Sequence, residues 1–452
     1  MLWFRRDLRL ADHPALLAAV DAARAVGGSV LAVFVVDRHL WAKAGTPRRA
    51  FLAGALADLR ERLDGKLTIV HGDPVRVIPG VARHAGVGSV HVSADFTPYG
   101  VRRDHRVAAA LAGAGVEWIP TGSPYAISPG RIRKQDATTY RVFTPFSKAW
   151  LAHGWPKPPS QPRNVDWLTY EGPHSADPPI EPAGKEVLLP APTEAAAHRA
   201  WTTFRDGALA DYAVQRERPD LPGTSRLSAY LHLGLLHPRT LLADLSGDRR
   251  GGPATFRTEL CWREFYADVL YGDPGSAWRN YNPQFAGFRW DSGVAAERAF
   301  RAWQAGRTGF PIVDAGMRQL LAEGWMHNRL RMITASFLVK DLHLPWQRGA
   351  RHFLDHLVDG DLASNNHGWQ WAAGTGTDAA PYFRIFNPVL QGKKYDPDGA
   401  YVRRYVPELA DVAGAAVHEP WSLPSPPDYP APIVDHREAR DEALRRYEEV
   451  RS

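Results

Sequence analysis

Over the first 122 residues, short apolar or β-branched runs alternate with Ala- and Leu-rich stretches of helical period. The runs Leu2–Phe4, Ser29–Val36, Leu67–Val70, Val90–Ser93 and Val116–Pro120 have the length of buried strands. Between them, Pro14–Val26, Arg48–Leu63, Pro74–His84 and Val101–Ala114 read as helices. Pro14 and Pro74 follow Asp12-His13 and Gly72-Asp73, and a proline in a first helical turn loses no hydrogen bond. This α/β alternation predicts a doubly wound parallel-sheet domain with helices on both faces and any ligand beyond the carboxyl ends of the strands. The first strand runs into Arg5-Arg6-Asp7-Leu8-Arg9, and neither G-x-G-x-x-G nor G-x-x-x-x-G-K-[ST] occurs, which disfavours phosphate binding by either loop. A first strand that begins at residue 2 also raises the expectation that residues are missing before Met1.

From 123 to 193 the pattern dissolves into Pro, Gly and polar residues, with Pro-Lys-Pro-Pro at 156–159 and one short helix expected over Val142–Leu151. So long a connection reads as an interdomain linker draped over the surface. Beyond it strand alternation stops. Helical periodicity runs through 194–210, 225–246, 254–271, 295–306, 312–323, 325–342 and 347–358. The expected organisation is an α/β domain over 1–122, a long linker over 123–193 and a larger all-α domain over 194–452.

At 452 residues the chain is too long for one ordinary core, in line with that division. A net charge of +6 suits a polyanionic partner without requiring one. The single cysteine, Cys261, excludes an internal disulfide. With no apolar run of spanning length and no signal-like N-terminus, a cytoplasmic protein with no membrane partner is expected. The sixteen tryptophans hint at aromatic binding walls.

Four segments carry candidate chemistry. In Glu259-Leu-Cys-Trp262-Arg263-Glu-Phe-Tyr266, the named residues share one helix face. Taken alone, that segment reads more simply as a solvated Glu–Arg pair beside a core tryptophan, since such ion pairs are common. Asn328, Arg331 and Met332 share another face, suited either to a flat heteroaromatic with carbonyls at its edge or to an ordinary amphipathic helix. Asp359-Gly360-Asp361 followed by Asn365-Asn366 and by Trp369 and Trp371 is harder to read as surface decoration, because half-buried polar groups need partners. The two tryptophans, two positions apart, point in different directions. Behind them, the loop 375–388 has Gly376 for close backbone approach. Finally, Gly223-Thr224-Ser225-Arg226-Leu227-Ser228 opens a helix as either an anion site or a plain cap. His352 and His356 have metal-ligand spacing, but no third ligand is evident and no metal site is expected.

These strings (Gly-Thr-Ser-Arg-Leu-Ser, Glu-Leu-Cys-Trp-Arg-Glu-Phe, Trp-Met-His-Asn-Arg-Leu-Arg-Met, Asp-Gly-Asp-Leu and Gly-Trp-Gln-Trp), behind an opening Leu-Trp-Phe-Arg-Arg-Asp-Leu-Arg, closely resemble the photolyase/cryptochrome family over essentially the whole chain. Within it the chain is similar to class I cyclobutane pyrimidine dimer photolyases. The resemblance implies FAD in the helical domain, reduced and anionic when active. Tyr212, Thr224, Ser225, Arg226, Leu227 and Ser228 would hold its phosphates and ribityl chain. Asp359, Gly360 and Asp361 would lie beside the flavin, with Arg331 paired to Asp359 and Asn365 facing flavin N5. Glu259 and Asn328 would bind the damaged bases with Met332 beside them, and Trp262 and Trp371 would wall the pocket. Arg216, Arg263, Tyr266 and Gln391 would join the contacts to DNA, and Trp369, Trp346 and Trp290 match the family's photoreducing tryptophan chain. The implied partner is UV-damaged DNA, single- or double-stranded, bound by a monomer.

Family members carry a second, antenna chromophore in the α/β domain. Asp95-Phe-Thr97-Pro98-Tyr99-Gly100 resembles the deazaflavin and flavin-mononucleotide types more than the methenyltetrahydrofolate type, and 8-hydroxy-5-deazaflavin is expected, although Thr97 stands where deazaflavin members tend to have an acid. The rival readings are a (6-4) photolyase, a cryptochrome-type blue-light receptor without repair activity, and a non-enzymatic single-strand binder. Histidines expected at Asn328 and Met332 are missing for the first, and Asn365 is the repair-type residue against the second. The third leaves the acids and amides of 359–366 unexplained.

Overall fold

The computed structural model describes residues 1–177, 179, 187–245, 247, 250–377 and 384–451. Its contacts divide the chain into two compact units. One holds Met1–Lys185, Pro190–Gly207 and Ser225–Pro274; the other holds Glu186–Leu189, Ala208–Thr224 and Gly275–Ser452.

In the first unit the apolar runs form strands β1 (Leu2–Phe4), β2 (Ala32–Asp37), β3 (Leu67–Gly72), β4 (Ser89–Val92) and β5 (Glu117–Pro120). They pair in parallel in the order β5-β4-β1-β2-β3. A two-residue strand, β6 (Ser175–Ala176), adds antiparallel to the free edge of β3. The sheet is therefore not purely parallel, and so short an edge strand leaves no periodic signal. Helices α1 (Pro14–Ala25), α2 (Thr46–Arg62), α3 (Pro74–His84) and α4 (Pro98–Ala112) make the crossovers within a few residues of the expected bounds.

Alternation decides which side chains meet which helices. Trp3, Leu31, Val33 and Val35 pack with Val77, Ile78 and Val81 of α3 and Val107 and Leu111 of α4. The opposite-facing Phe4 meets the ring of His13, the N-cap of α1, edge-on at 5.4 Å. His13, Asp73 and Thr97 each accept a backbone N–H at the start of α1, α3 and α4, which stabilises these helix ends.

Further helices of this unit include α5 (Phe143–His153), α6 (Ser228–Leu233), α7 (Pro238–Asp244) and α8 (Gly251–Gly272). The helix expected over 225–246 is two helices. Gly234 ends α6 at φ 69°, and a Cβ there would lie 2.1 Å from the carbonyl oxygen of Arg6. Pro238 then starts α7, having no N–H with which to continue α6.

Part of the segment expected as a draped linker is fastened to α8. Buried Glu264 accepts from the backbone N–H groups of Ala126 (2.5 Å) and Ile127 (3.1 Å) and from Trp150 Nε1 (2.6 Å). Burial pushes the Glu264 carboxyl up, against the pull of these donors. Cys261, on the same helix, is buried, and its thiol is pushed up by burial, as an inert core residue requires.

The second unit is helical among its described residues and holds α9 (Asn328–Ser336), α10 (Trp346–His356), α11 (Leu362–Ala373) and α12 (His436–Arg451). The helix expected over 325–342 begins later, capped by His327, and passes at Phe337–Asp341 into a π-type turn. Trp303, Phe337, Trp346, Phe353 and Trp369 are buried together in the core of this unit. No helix among the described residues is long and apolar enough to cross a membrane.

Candidate functional site

In the second unit, α11 starts where Asp361 accepts the Ser364 N–H at 3.0 Å, so this carboxylate is an N-cap as well as a candidate ligand group. Asp359, two residues earlier, is buried. Arg331 Nη2 donates to its Oδ2 at 2.7 Å, and Arg331 Nε donates to the Met326 carbonyl at 2.8 Å. The expected pairing of these two residues is thus present. Asp359 Oδ1, also buried, has no hydrogen-bond partner among the described residues. A buried carboxylate oxygen requires a donor, and the imide N–H of a flavin or a ribityl hydroxyl would supply one. The residues present therefore fit FAD. Buried Thr375 Oγ1 and Gln391 Oε1 are likewise without a partner among the described residues.

The polar run along α11 divides into two groups. Asn366 donates to the Ala277 carbonyl, and Gln370 donates to the Ser276 carbonyl (2.6 Å) and accepts from the Tyr281 N–H (2.7 Å). His367 meets Ser276 Oγ at 3.0 Å. These buried groups tie the segment Ser276–Tyr281 to α11, a fastening role that sequence reasoning missed. The signal was present in the i,i+4 spacing of Asn366 and Gln370. Asn365 is half-buried and its amide donates to the Ala350 carbonyl at 3.1 Å and to Asn366 Oδ1 at 2.9 Å, which fixes its orientation.

Trp369 is buried against Phe353, with centroids 4.9 Å apart, whereas Trp371 is half-buried. Gly349 on α10 makes room for Trp369, since a Cβ there would lie 2.1 Å from its ring. Trp346 is fully buried and donates to Asn280 Oδ1 at 2.8 Å. Trp290 is half-buried beside Phe288, at 4.5 Å.

On α9, Asn328 is exposed and its amide lies 3.9 Å from the sulfur of Met332, so these two side chains adjoin. Tyr212 is buried in the helical turn Tyr212–Gln215, with the Arg216 guanidinium 5.6 Å over its ring. Gly223 passes so close to that turn that a Cβ would lie 2.6 Å from Gln215 Cβ. In the loop 375–388, Gly376 approaches the Gln370 backbone, where a Cβ would sit at 3.1 Å, and residues 378–383 lie outside the described residues.

In the first unit, α8 carries Glu259, Trp262, Arg263 and Tyr266. The Trp262 ring stacks on Phe143 at 3.6 Å, nearly parallel, with Tyr266 tilted at 5.4 Å. Arg263 donates to the carbonyls of Pro124 (3.0 Å) and Leu231 (3.2 Å), and its guanidinium lies 4.6 Å over Tyr125. Its charge is thereby held against the fold. The Ser225–Ser228 segment turns through Arg226 at φ 51°, and the Leu227 N–H reaches Ser225 Oγ at 3.4 Å, before α6 begins at Ser228.

At the carboxyl ends of the strands, Arg5 pairs with Asp104 at 2.6 Å and Arg103 with Asp95 at 3.1 Å. Tyr99 donates to Asp37 at 2.5 Å. Burial would push Asp95 up, but Arg103 and Arg5 outweigh it and hold the carboxyl at about 2. Thr97, expected near a chromophore, caps α4 and donates to Asp95 at 2.9 Å.

A doubly wound sheet unit and a helical unit able to seat a polar-edged flat cofactor define the class of a two-unit flavoprotein. The family model described as DNA photolyase matches residues 1–163, and that described as the FAD binding domain of DNA photolyase matches residues 256–449. A protein of Halobacterium salinarum named deoxyribodipyrimidine photo-lyase is 40% identical over 481 aligned positions, covering 100% of this chain and 99% of its own. A class III photolyase from Agrobacterium tumefaciens superposes with a TM-score of 0.91 at 37% identity, covering 100% of this chain and 97% of its own. A Synechocystis cryptochrome superposes with a TM-score of 0.89 at 26% identity, covering 98% of both chains. The chain belongs to the DNA photolyase family, and its helical part is an FAD-binding domain. A repair enzyme and a cryptochrome share this fold almost equally, so the fold alone does not decide the function.

Proposed function

We propose that this protein is a deoxyribodipyrimidine photolyase: a light-driven, FAD-dependent enzyme that splits cyclobutane pyrimidine dimers in UV-damaged DNA. The observation that carries the proposal is 40% identity, over its full length, to an enzyme of that name. Asp359, Gly360, Asp361, Arg331 and Asn365, with Tyr212 and the 224–228 segment, hold FAD. When bound and reduced, anionic FAD would supply on excitation the electron that opens the cyclobutane ring and would take it back once the two bases separate.

The side chains bind, orient and exclude. Photolyases are known base-flipping enzymes, so extrusion of the dimer is a family property rather than a deduction from this chain. Glu259 accepts from the imide edge of the extruded bases and the Asn328 amide serves their carbonyls, with Met332 beside it. The stacked Trp262 and, separately, Trp371 each offer an aromatic surface, since a non-planar lesion needs aromatic surfaces and few polar contacts. Arg216, Arg263, Tyr266 and Gln391 add contacts to the flanking strand, with Arg263 anchored by two of its five N–H groups to the carbonyls of Pro124 and Leu231. Net charge +6 favours phosphate contacts, so binding weakens as salt rises. Trp290, Trp346 and Trp369 form the chain that restores reduced flavin.

Asn328 and Met332, where a (6-4) enzyme tends to have histidines, favour the cyclobutane lesion, and Asn365 favours repair over signalling. Class I membership, a monomeric state, a cytoplasmic location and an 8-hydroxy-5-deazaflavin antenna (methenyltetrahydrofolate and flavin mononucleotide being the alternatives) complete the proposal. The absorption spectrum of purified protein identifies the antenna. Repair is tested by illuminating reduced holoenzyme with a dimer-containing oligonucleotide. Loss of the dimer in light and none in darkness supports the proposal, and no loss in light overturns it.

A further inference from the structure

The helix α12 is fastened to one short loop by residues on a single face. Arg446 Nη1 donates to the Arg289 carbonyl at 3.1 Å, and Arg446 Nη2 pairs with Asp291 Oδ1 at 2.8 Å. One guanidinium thus grips the residue before Trp290 and the residue after it. Its third arm, Nε, is held by Glu442 one turn earlier, so the fork is fixed in orientation. The Asp291 N–H donates to the His343 carbonyl at 2.9 Å, and the His343 ring donates from Nε2 to the Ala439 carbonyl of α12 at 3.0 Å. Arg289 itself lies 3.4 Å from Glu442 and 3.6 Å from Glu449, and Phe285 stacks on Tyr447 at 5.7 Å.

Exposed ion pairs of this sort contribute little stability, and most of these qualify. Arg446 is the exception, for its side chain is only 9% exposed. A buried guanidinium with an acceptor on either side of a half-buried indole fixes where that indole stands.

We infer that α12, acting through Arg446, is the clamp that positions Trp290 as the outer electron relay. The inference rests on reading Trp290 as the last tryptophan of the photoreducing chain. In that role the indole gives up one electron, which the oxidised flavin takes by way of Trp346 and Trp369. The indole N–H proton leaves to water, and a soluble thiol returns one hydrogen atom to the indolyl radical, becoming a thiyl radical. Electron hopping falls steeply with separation, so a relay on an untethered loop spends most of its time out of range. The Asp291 carboxylate, next in the chain and pinned by Arg446, also favours the transient indole cation. Arg446 is a positioning residue, with no part in repair itself.

The test uses FAD-loaded protein and three variants: Arg446→Ala, Arg446→Lys and, as a milder second probe, Asp291→Asn. Two quantities are read: the rate of flavin photoreduction under blue light with added thiol, and amide hydrogen exchange across residues 285–291. Arg446→Ala is expected to slow photoreduction at least about fivefold and to raise exchange in that segment. Repair by chemically pre-reduced enzyme should stay within about twofold of wild type. Arg446→Lys should recover part of the rate, and Asp291→Asn should slow photoreduction even if Arg446→Ala folds poorly. Faster exchange with an unchanged photoreduction rate in these variants overturns the clamp. A Trp290→Phe variant that photoreduces at the wild-type rate overturns the relay reading beneath it, which separates the two failures.

Discussion

Arg331 and Asp359 meet through one 2.7 Å contact, which leaves the second carboxylate oxygen of Asp359 buried and unpartnered among the described residues. One half of the carboxylate is held by the fold and the other half is offered to a ligand. Asp359→Asn keeps the shape but removes the charge and one acceptor. Purified Asp359→Asn protein should retain much less flavin, with affinity lowered about tenfold for a loss of ~1.4 kcal/mol. The flavin-to-protein absorbance ratio measures this, and full flavin content in the variant would remove Asp359 from the cofactor site.

Gly349 and Trp369 are matched as closely. A Cβ at 349 would come within 2.1 Å of the indole, so Gly349→Ala forces the ring or α10 to move. Overpacking of this kind costs ~1–3 kcal/mol, and the melting temperature should fall accordingly. Trp369→Phe in the same background should restore part of the loss, because the smaller ring clears the added methyl. Equal and additive losses would mean that the two residues do not share the space.

His237 gives the pH dependence a definite sign. Its Nε2 donates to the Ser123 carbonyl at 2.9 Å, while its Nδ1 meets the Arg239 N–H at 3.1 Å, which favours the neutral ring, and Asp12 Oδ2 at 3.3 Å, which favours the charged one. Burial, reinforced by Arg9, lowers its pKa to about 3, and burial lowers that of His352 to about 3 as well. Between pH 3 and 6.5 the unfolded chain binds more protons at these sites than the folded one. The stability these two histidines contribute is therefore complete above about pH 6.5 and lost as pH falls toward 3, opposed in part by Asp341, whose carboxyl burial raises to about 6. The melting temperature should drop from pH 7.5 to 5.5, and His237→Asn should narrow that drop. A wild-type protein as stable at pH 5.5 as at 7.5 would contradict this.

Glu259 carries the substrate-recognition claim. Glu259→Ala should lower repair by at least about tenfold while flavin content and photoreduction stay unchanged, since the residue serves lesion binding alone. The comparison of repair rates under subsaturating substrate checks it, and wild-type repair in the variant would refute the assigned role.

How far these features were legible in the sequence depended on their range. Strands β1 to β5 and the crossover helices declared themselves because each is a local period, and Pro14 and Pro74 marked their starts. The division of 225–246 at Gly234 was not legible, because the reason for that glycine is the carbonyl of Arg6, more than two hundred positions away. β6 was hidden for the same reason, having no pattern beyond its pairing with β3. Within the site, the Arg331–Asp359 pair came from family resemblance, and local chemistry alone had left a flat-ligand face and an amphipathic helix equally open. The i,i+4 spacing of Asn366 and Gln370 was legible, but not their partners: the fastening by Asn366, His367 and Gln370 uses two carbonyls and the Ser276 hydroxyl of a distant loop. Arg263 shows the converse: its helix face suggested a ligand contact, and nothing in the sequence signalled that two of its N–H groups also donate to the carbonyls of Pro124 and Leu231.

The central claim is that this flavoprotein repairs cyclobutane dimers with light. Its most direct test is the action spectrum of dimer loss, measured with chemically reduced holoenzyme on oligonucleotides carrying either a cyclobutane dimer or a (6-4) product. The account predicts repair of the cyclobutane dimer only, none in darkness, and a wavelength dependence that follows the absorption of the bound chromophores. Unchanged cyclobutane dimer after illumination of flavin-loaded, reduced protein would contradict it.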